Sequence, residues 1–347
     1  MESPLNVVVC APILGTNLDP VRAVGPSVNV IDGNAIFGAY NRARQDKDQA
    51  AIESTDKQMR DLLAQADVLC MMHPMLPTAA ALAPNMRWFH HTQAGVSNLW
   101  PCDVWQREDI VMTSGRGTMR PTAMAEYCIA AAMMFARSLH DGMLDKAGGQ
   151  LDRSHHDPRR IEGSTMGIVG LGGIGREVAR LSKALGMRVI ATRRSATVPQ
   201  EDVDGVDLLL PASDLHRLAA ESDFIAVCVQ LTQDTVRLLN GTFFDALEKR
   251  PVLVNVSRGE VVDEDAMLAA LDSGKLWGAV LDVYEGELDR KPPRPELMSH
   301  PSIILTPHNS TGGATSETRV MDLFCENLRR FVKGEDLLNV VDRARGY

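Results

Sequence analysis

Three stretches in the second half of the chain carry side chains suited to polarising and protonating a carbonyl. Val254-Asn255-Val256-Ser257-Arg258-Gly259 offers a guanidinium. Ala279-Val280-Leu281-Asp282-Val283-Tyr284-Glu285-Gly286-Glu287 offers carboxylates, and Leu305-Thr306-Pro307-His308-Asn309 offers an imidazole. Each stretch ends an apolar run, at a strand end where doubly wound sheets hold ligands. Hydride transfer to a 2-oxo acid needs a cation to polarise the carbonyl and grip the carboxylate. It also needs a proton donor poised near neutral pH. A carboxylate beside a histidine favours its protonated form and fixes its tautomer. Arg258, His308 and one of the acids meet those needs. Taken singly, each has a plainer use: Arg258 in a salt bridge at a helix start, His308 in an ordinary turn after Pro307, the acids as solvated side chains.

Upstream, the apolar run Met166 to Val169 leads into Gly170-Leu171-Gly172-Gly173-Ile174-Gly175, then an amphipathic segment and a second apolar run, Met187 to Ala191. This is strand, glycine turn, helix, strand. Gly170 permits the tight turn, Gly172 lets the backbone approach a pyrophosphate, and Gly175 lets the helix pack close to the strand. The phosphates are expected on the free N–H groups and positive dipole end of the helix that starts near Ile174. A glycine turn alone is weak evidence; the flanking strands and helix make it specific.

The second strand ends at Thr192, Arg193, Arg194 and Ser195. A site built for NAD usually places Asp or Glu there for the ribose hydroxyls. Two guanidiniums suit a 2′-phosphate, which a carboxylate would repel. The expectation is NADP(H) preferred and NAD(H) possible. The plainer alternative is two solvated arginines on a surface loop.

The elements that must position these groups are readable in outline. The chain of 347 residues has room for two domains. Asn6 to Cys10, Val68 to Met72 and Met86 to His90 read as strands, with helical spacing over Asp48 to Ala66. A long helix is expected over Thr122 to Ser138, with Pro121 at its favoured start. Residues 147 to 164 are polar and turn-rich. Strands over Phe224 to Val229, Val252 to Val256, Leu276 to Leu281 and Ile303 to Thr306 alternate with helices over Ser213 to Ala220 and Glu264 to Asp272. A helix over Ala314 to Val332 closes the chain. Such alternation implies parallel doubly wound sheets.

Composition removes other classes. A net charge of -9 argues against nucleic acid or an anionic membrane as the main partner. The longest apolar tract, near 123 to 135, contains Glu126 and is too short to span a bilayer. The N-terminus lacks a basic segment and a cleavage site. Six scattered cysteines with no CxxC read as reduced thiols of a cytoplasmic protein. His90-His91 and His155-His156 lack metal-ligand spacing, so no metal is expected.

The set of motifs resembles the D-isomer-specific 2-hydroxy acid dehydrogenases, which include glyoxylate and hydroxypyruvate reductases. The resemblance covers nearly the whole length. It rests on Gly170 to Gly175, Asn255 to Gly259, Leu281 to Tyr284 with Glu287, Thr306-Pro307-His308, Ala125-Glu126-Tyr127 and Thr92-Gln93-Ala94-Gly95-Val96. It implies Arg258 as substrate anchor, His308 as general acid/base and Glu287, not Glu285, as the partner of the histidine. It places Asp282 on the nicotinamide carboxamide and extends the cofactor contacts to Val229, Val256, Ser257, Arg258 and His308. The N–H groups of Ala94, Gly95 and Val96 are implied to cradle the substrate carboxylate. It further implies a Rossmann-type NAD(P)-binding domain at 119-310 inserted into a flavodoxin-like substrate domain at 1-118 and 311-347, and a homodimer formed through the nucleotide domain.

Some residues depart from the family pattern. Gln230 stands where proline is common, and the Asn309-Ser310-Thr311 run, small polar groups able to touch substrate or a partner subunit, is less usual. Met71 to Leu76 lacks the arginine a phosphorylated substrate would want, which points to an unphosphorylated acid, with room for an apolar tail. Formate dehydrogenases resemble the chain less, having Gln at the position of Glu287. The expected reaction is NAD(P)H-dependent reduction of a small 2-oxo acid to the D-2-hydroxy acid. The alternative is a non-enzymatic dinucleotide-sensing interaction protein of the corepressor kind.

Overall fold

The computed structural model describes residues 4–312 and 317–347, the side chains of His155 and Glu317 excepted. The chain divides into two compact units, one of Met1–Arg120 with Thr315–Tyr347 and one of Pro121–Ala314.

In the first unit five strands, β1 (Leu5–Cys10), β2 (Val28–Asp32), β3 (Val68–Met71), β4 (Trp88–His91) and β5 (Val111–Ser114), form a parallel sheet in the order β2-β1-β3-β4-β5. This is the flavodoxin-like order. The central strands β3 and β4 are buried at every residue, as a sheet covered on both faces requires. Alternate residues serve opposite faces. Val8, Cys10, Leu69 and Phe89 pack with Phe37, Met59 and Leu63 from the helices Asn34–Gln45 and Gln49–Leu63. Val7, Val9, Val68 and Trp88 pack instead with Val320, Phe324 and Leu328 of the returning helix Glu317–Lys333. Of the helix expected over 314–332, residues 314–316 lie outside the described residues.

The second unit adds β6 (Thr165–Val169), β7 (Arg188–Arg193), β8 (Gln200–Val203), β9 (Val206–Pro211), β10 (Phe224–Val227), β11 (Val252–Asn255), β12 (Gly278–Leu281) and β13 (Ile303–Leu305). Their order is β13-β12-β11-β10-β6-β7-β9-β8. The chain reverses direction across the sheet between β6 and β10, which is the switch point where such sheets bind ligands. The sheet is parallel except at one edge, where β8 runs antiparallel to β9. The direction reverses there because Asp204 (φ 56°) and Gly205 (φ 81°) close a tight hairpin. Two successive left-handed residues are what a type I′ turn demands. The helix Pro121–Ala136 starts on its proline and buries Ala125, Cys128, Ala132 and Phe135 against the sheet residues Met166, Ile168, Val252 and Val254.

Candidate active site

Every candidate group of the second unit lies at or just after the carboxyl end of a parallel strand. After β6, Gly170 takes φ +99°, and a Cβ there would lie 2.7 Å from Val229 Cγ1, across the switch point after β10. Only glycine fits that turn. A Cβ on Gly175 would lie 2.3 Å from the Gly170 carbonyl oxygen, so its absence lets the helix Gly173–Ala184 sit on the turn. At Gly172 and Gly173, by contrast, a Cβ would meet nothing within 4 Å. That open space lies beside the first, unpaired N–H groups of the helix, where a pyrophosphate fits by charge and by room. Leu171 is buried, and its N–H donates to the Thr192 carbonyl at 2.9 Å, tying the glycine turn to the end of β7.

At that end Thr192 is buried, Arg193 half-buried, and Arg194 and Ser195 exposed. The Arg193 guanidinium pairs with Asp204 of the β8–β9 turn, and Arg176, in the first turn of the glycine-led helix, reaches the same carboxylate at 3.1 Å. The two guanidiniums hold the Asp204 carboxyl below the usual carboxylate range. Sequence reading missed both Asp204 and Arg176. The Asp204-Gly205 dipeptide is a hairpin signal that would have brought the turn to this position.

After β11, buried Asn255 shapes the turn that presents Arg258. Its Oδ1 accepts from Ser257 N at 3.0 Å and Ser257 Oγ at 2.8 Å, and its Nδ2 donates to the Arg258 carbonyl at 3.0 Å. Val256 and Ser257 are buried. A Cβ on Gly259 would lie 1.9 Å from the Tyr284 carbonyl carbon, so this turn and the one after β12 touch backbone to backbone. Arg258 Nη1 donates to the Ser257 carbonyl at 2.7 Å, whereas its buried Nε has no partner among the described residues. Burial lowers the pKa of this guanidinium from its ordinary value, against the opposing charges of Glu287 and Glu260. A half-buried cation whose buried donor is unused is an anion site by its chemistry.

The three acids after β12 separate cleanly. Asp282 is buried and holds the loop after β13: its Oδ1 accepts from Thr306 Oγ1 at 2.6 Å and Asn309 N at 2.8 Å, its Oδ2 from Ser310 N at 2.9 Å. The backbone of the Asn309-Ser310 run thus serves to anchor the loop. Because the Thr306 hydroxyl gives its one proton to Asp282, it accepts from Tyr127 at 2.6 Å, extending the chain to the helix Pro121–Ala136. Glu285 is exposed and lies 3.9 Å from Arg237. Glu287 is 9% exposed, and its Oε1 lies 2.7 Å from His308 Nδ1. His308 itself takes φ +51°, a strained position for a non-glycine residue, fixed by its N–H to the carbonyls of Asp282 and Thr306, both at 3.0 Å. Glu260 and buried Glu264 accept the N–H groups of Gly286 (3.2 Å) and Glu285 (2.9 Å), which fixes the approach to Glu287.

In the first unit, Ala94 and Gly95 are half-buried and Val96 is buried, directly after β4. None of their three amides donates to a backbone carbonyl among the described residues. No cluster of His, Cys, Asp and Glu with the makings of a metal site occurs among the described residues, and no described helix is long and apolar enough to cross a membrane.

Comparison with known proteins identifies the family. Residues 129–310 match the D-isomer specific 2-hydroxyacid dehydrogenase, NAD binding domain family model. A glyoxylate reductase from Korarchaeum cryptofilum is 31% identical over 265 residues, covering 75% of this chain and 77% of that protein. A D-3-phosphoglycerate dehydrogenase from Archaeoglobus fulgidus is 30% identical over 262 residues, 75% of this chain; the match spans about half, 48%, of that relative's length. Among solved structures, the NADPH-dependent glyoxylate/hydroxypyruvate reductase of Sinorhizobium meliloti, in complex with NADP and sulfate, aligns over 100% of both chains with a TM-score of 0.72 and 26% identity. The chain therefore belongs to the D-isomer specific 2-hydroxyacid dehydrogenase family, a family of oxidoreductases.

Proposed function

We propose that the protein reduces a small unphosphorylated 2-oxo acid to the D-2-hydroxy acid, with NADPH preferred and NADH possible. The observation that carries the proposal is the 2.7 Å pair of His308 and Glu287 at the same carboxyl end of the sheet as Arg258, whose buried Nε lacks a partner among the described residues. The bound dinucleotide supplies the hydride. Arg258 polarises the substrate carbonyl and grips the carboxylate. His308 delivers a proton to the carbonyl oxygen through Nε2, since its Nδ1 faces Glu287. Glu287 fixes the ring and its tautomer.

Gly170 to Gly175 hold the pyrophosphate in this proposal. Val229, Val256 and Ser257 border the dinucleotide, and Asp282 meets the nicotinamide carboxamide. Thr192, Arg193, Arg194 and Ser195 surround the adenosine ribose. The NADP complex of the Sinorhizobium reductase supports the preference for NADPH. The absence of arginine from Met71 to Leu76 supports an unphosphorylated acid, either glyoxylate- or hydroxypyruvate-like or with a bulkier apolar tail. A homodimer is proposed as well, supported by Leu139, Met143 and Leu144, which stay exposed on one helix. Cytoplasmic placement is supported by five buried free cysteines.

The test is initial-rate oxidation of NADPH and NADH over glyoxylate, hydroxypyruvate, pyruvate and bulkier 2-oxo acids. Turnover with at least one acid and a preference for NADPH is the expected result. Cofactor binding without turnover of any acid would overturn it in favour of a dinucleotide sensor.

A further inference from the structure

The hairpin tip at Asp204 lies across the end of β7, where the ribose of a dinucleotide is expected. Both carboxylate oxygens of Asp204 are taken by guanidiniums: Oδ1 by Arg176 Nη1 at 3.1 Å, Oδ2 by Arg193 Nη1. The two arginines come from different elements, the first turn of the glycine-led helix and the last residue of β7. A carboxylate bridging two guanidiniums occupies the place that an incoming anion would take. Asp204 does not satisfy the whole side chain of Arg193, because its buried Nε has no partner among the described residues. The pair is therefore an anion site partly filled by the protein's own acid.

We propose that Asp204 is a specificity-determining residue, a built-in stand-in anion that competes with the 2′-phosphate of NADPH for Arg193 and Arg176. This rests on the reading that Arg193 meets the 2′-phosphate. NADPH must share or displace the Asp204 carboxylate, a like charge to its phosphate. NADH, with hydroxyls only, leaves the ion pairs in place and can donate to the same carboxylate. Asp204 thus narrows the preference for NADPH that the arginines create, and Arg176 joins the residues that recognise the adenosine end.

Fluorescence titration of NADPH and NADH binding to the wild type, Asp204→Asn, Arg176→Ala and Arg193→Ala tests this without relying on turnover. Asparagine is the replacement of choice, since it tolerates the left-handed backbone at this turn. Asp204→Asn is expected to tighten NADPH about two- to fivefold, the scale of a partly exposed ion pair, and to leave NADH unchanged or weaker. Arg176→Ala and Arg193→Ala are expected to weaken NADPH selectively. Asp204→Asn that weakens NADPH, or leaves the NADPH-to-NADH ratio unchanged while Arg193→Ala still costs NADPH, would overturn the competition and leave the arginine reading standing. An unchanged ratio in Arg193→Ala would remove the arginine reading and the role of Asp204 together.

Discussion

Glu287 Oε1 lies 2.7 Å from His308 Nδ1, while Glu285, two residues earlier, is exposed and faces Arg237. The two acids are chemically alike, and only position separates them. Glu287→Gln is expected to lower kcat about 100-fold, within the range of general acid–base contributions. Glu285→Gln should stay within about twofold, as an exposed and distant pair contributes little. Steady-state rates on the best 2-oxo acid check both; equal losses in the two variants would contradict the assignment.

Gly259 is where the turn bearing Arg258 crosses the turn leading to Glu287, with 1.9 Å between a notional Cβ and the Tyr284 carbonyl carbon. Backbone cannot yield as a flexible side chain does. Gly259→Ala is expected to cost about 3 kcal/mol of stability and to remove activity by displacing both groups. Chemical denaturation together with kcat/KM measures this. A variant of normal stability and activity would show that the two turns are not coupled.

Burial pushes the His90 imidazole down from 6.5 to about 3. The folded state therefore excludes a proton that the unfolded chain binds below 6.5. The contribution of neutral His90 is complete above that pH and is lost as pH falls toward 3, at about 1.4 kcal/mol per pH unit. His90→Gln keeps a partner for Thr113 Oγ1, which lies 2.7 Å from His90 Nδ1, and removes the titration. Urea unfolding at pH 7 and pH 5 should show a smaller acid-induced loss in the variant. Parallel losses would assign the acid sensitivity to other groups.

Burial also raises the thiols of Cys10 to about 12 and of Cys102 and Cys325 to about 11. Cys70 and Cys128 are buried as well, and Cys228 is half-buried. Iodoacetamide at pH 8 should modify the native protein at Cys228 alone and all six cysteines after denaturation, read by peptide mass spectrometry. Rapid labelling of Cys10 or Cys325 in the native protein would contradict that burial.

Much of the fold was readable because apolar runs report buried strands directly: β6, β10, β11 and β12 are buried at every residue. Most of the strands missed are those whose burial is partial or whose residues are polar; β9 was missed as well, although its Leu208-Leu209-Leu210 run is buried. β2 is half-buried with exposed Asn29 and Asp32, β5 ends in Thr113 and Ser114, and β8 is Gln-Glu-Asp-Val on a sheet edge. Such strands are defined by their neighbours' hydrogen bonds more than by their own side chains. For the site, the glycine turn and the order of Arg258, Glu287 and His308 stood in the sequence. The pairing of Arg193 with Asp204 did not, because it depends on where a hairpin folds back. The chain from Tyr127 through Thr306 to Asp282 likewise joins residues 179 and 24 positions apart in sequence, and only the fold brings them together.

The most direct test of the central claim follows one hydrogen. The enzyme would be incubated with C4-deuterated NADPH and the 2-oxo acid that it turns over best, and the product analysed by mass spectrometry and chiral chromatography. Transfer of one deuterium to C2 of a D-2-hydroxy acid, lost in His308→Asn, is the predicted result. Cofactor binding with no deuterated product from any 2-oxo acid would contradict the account.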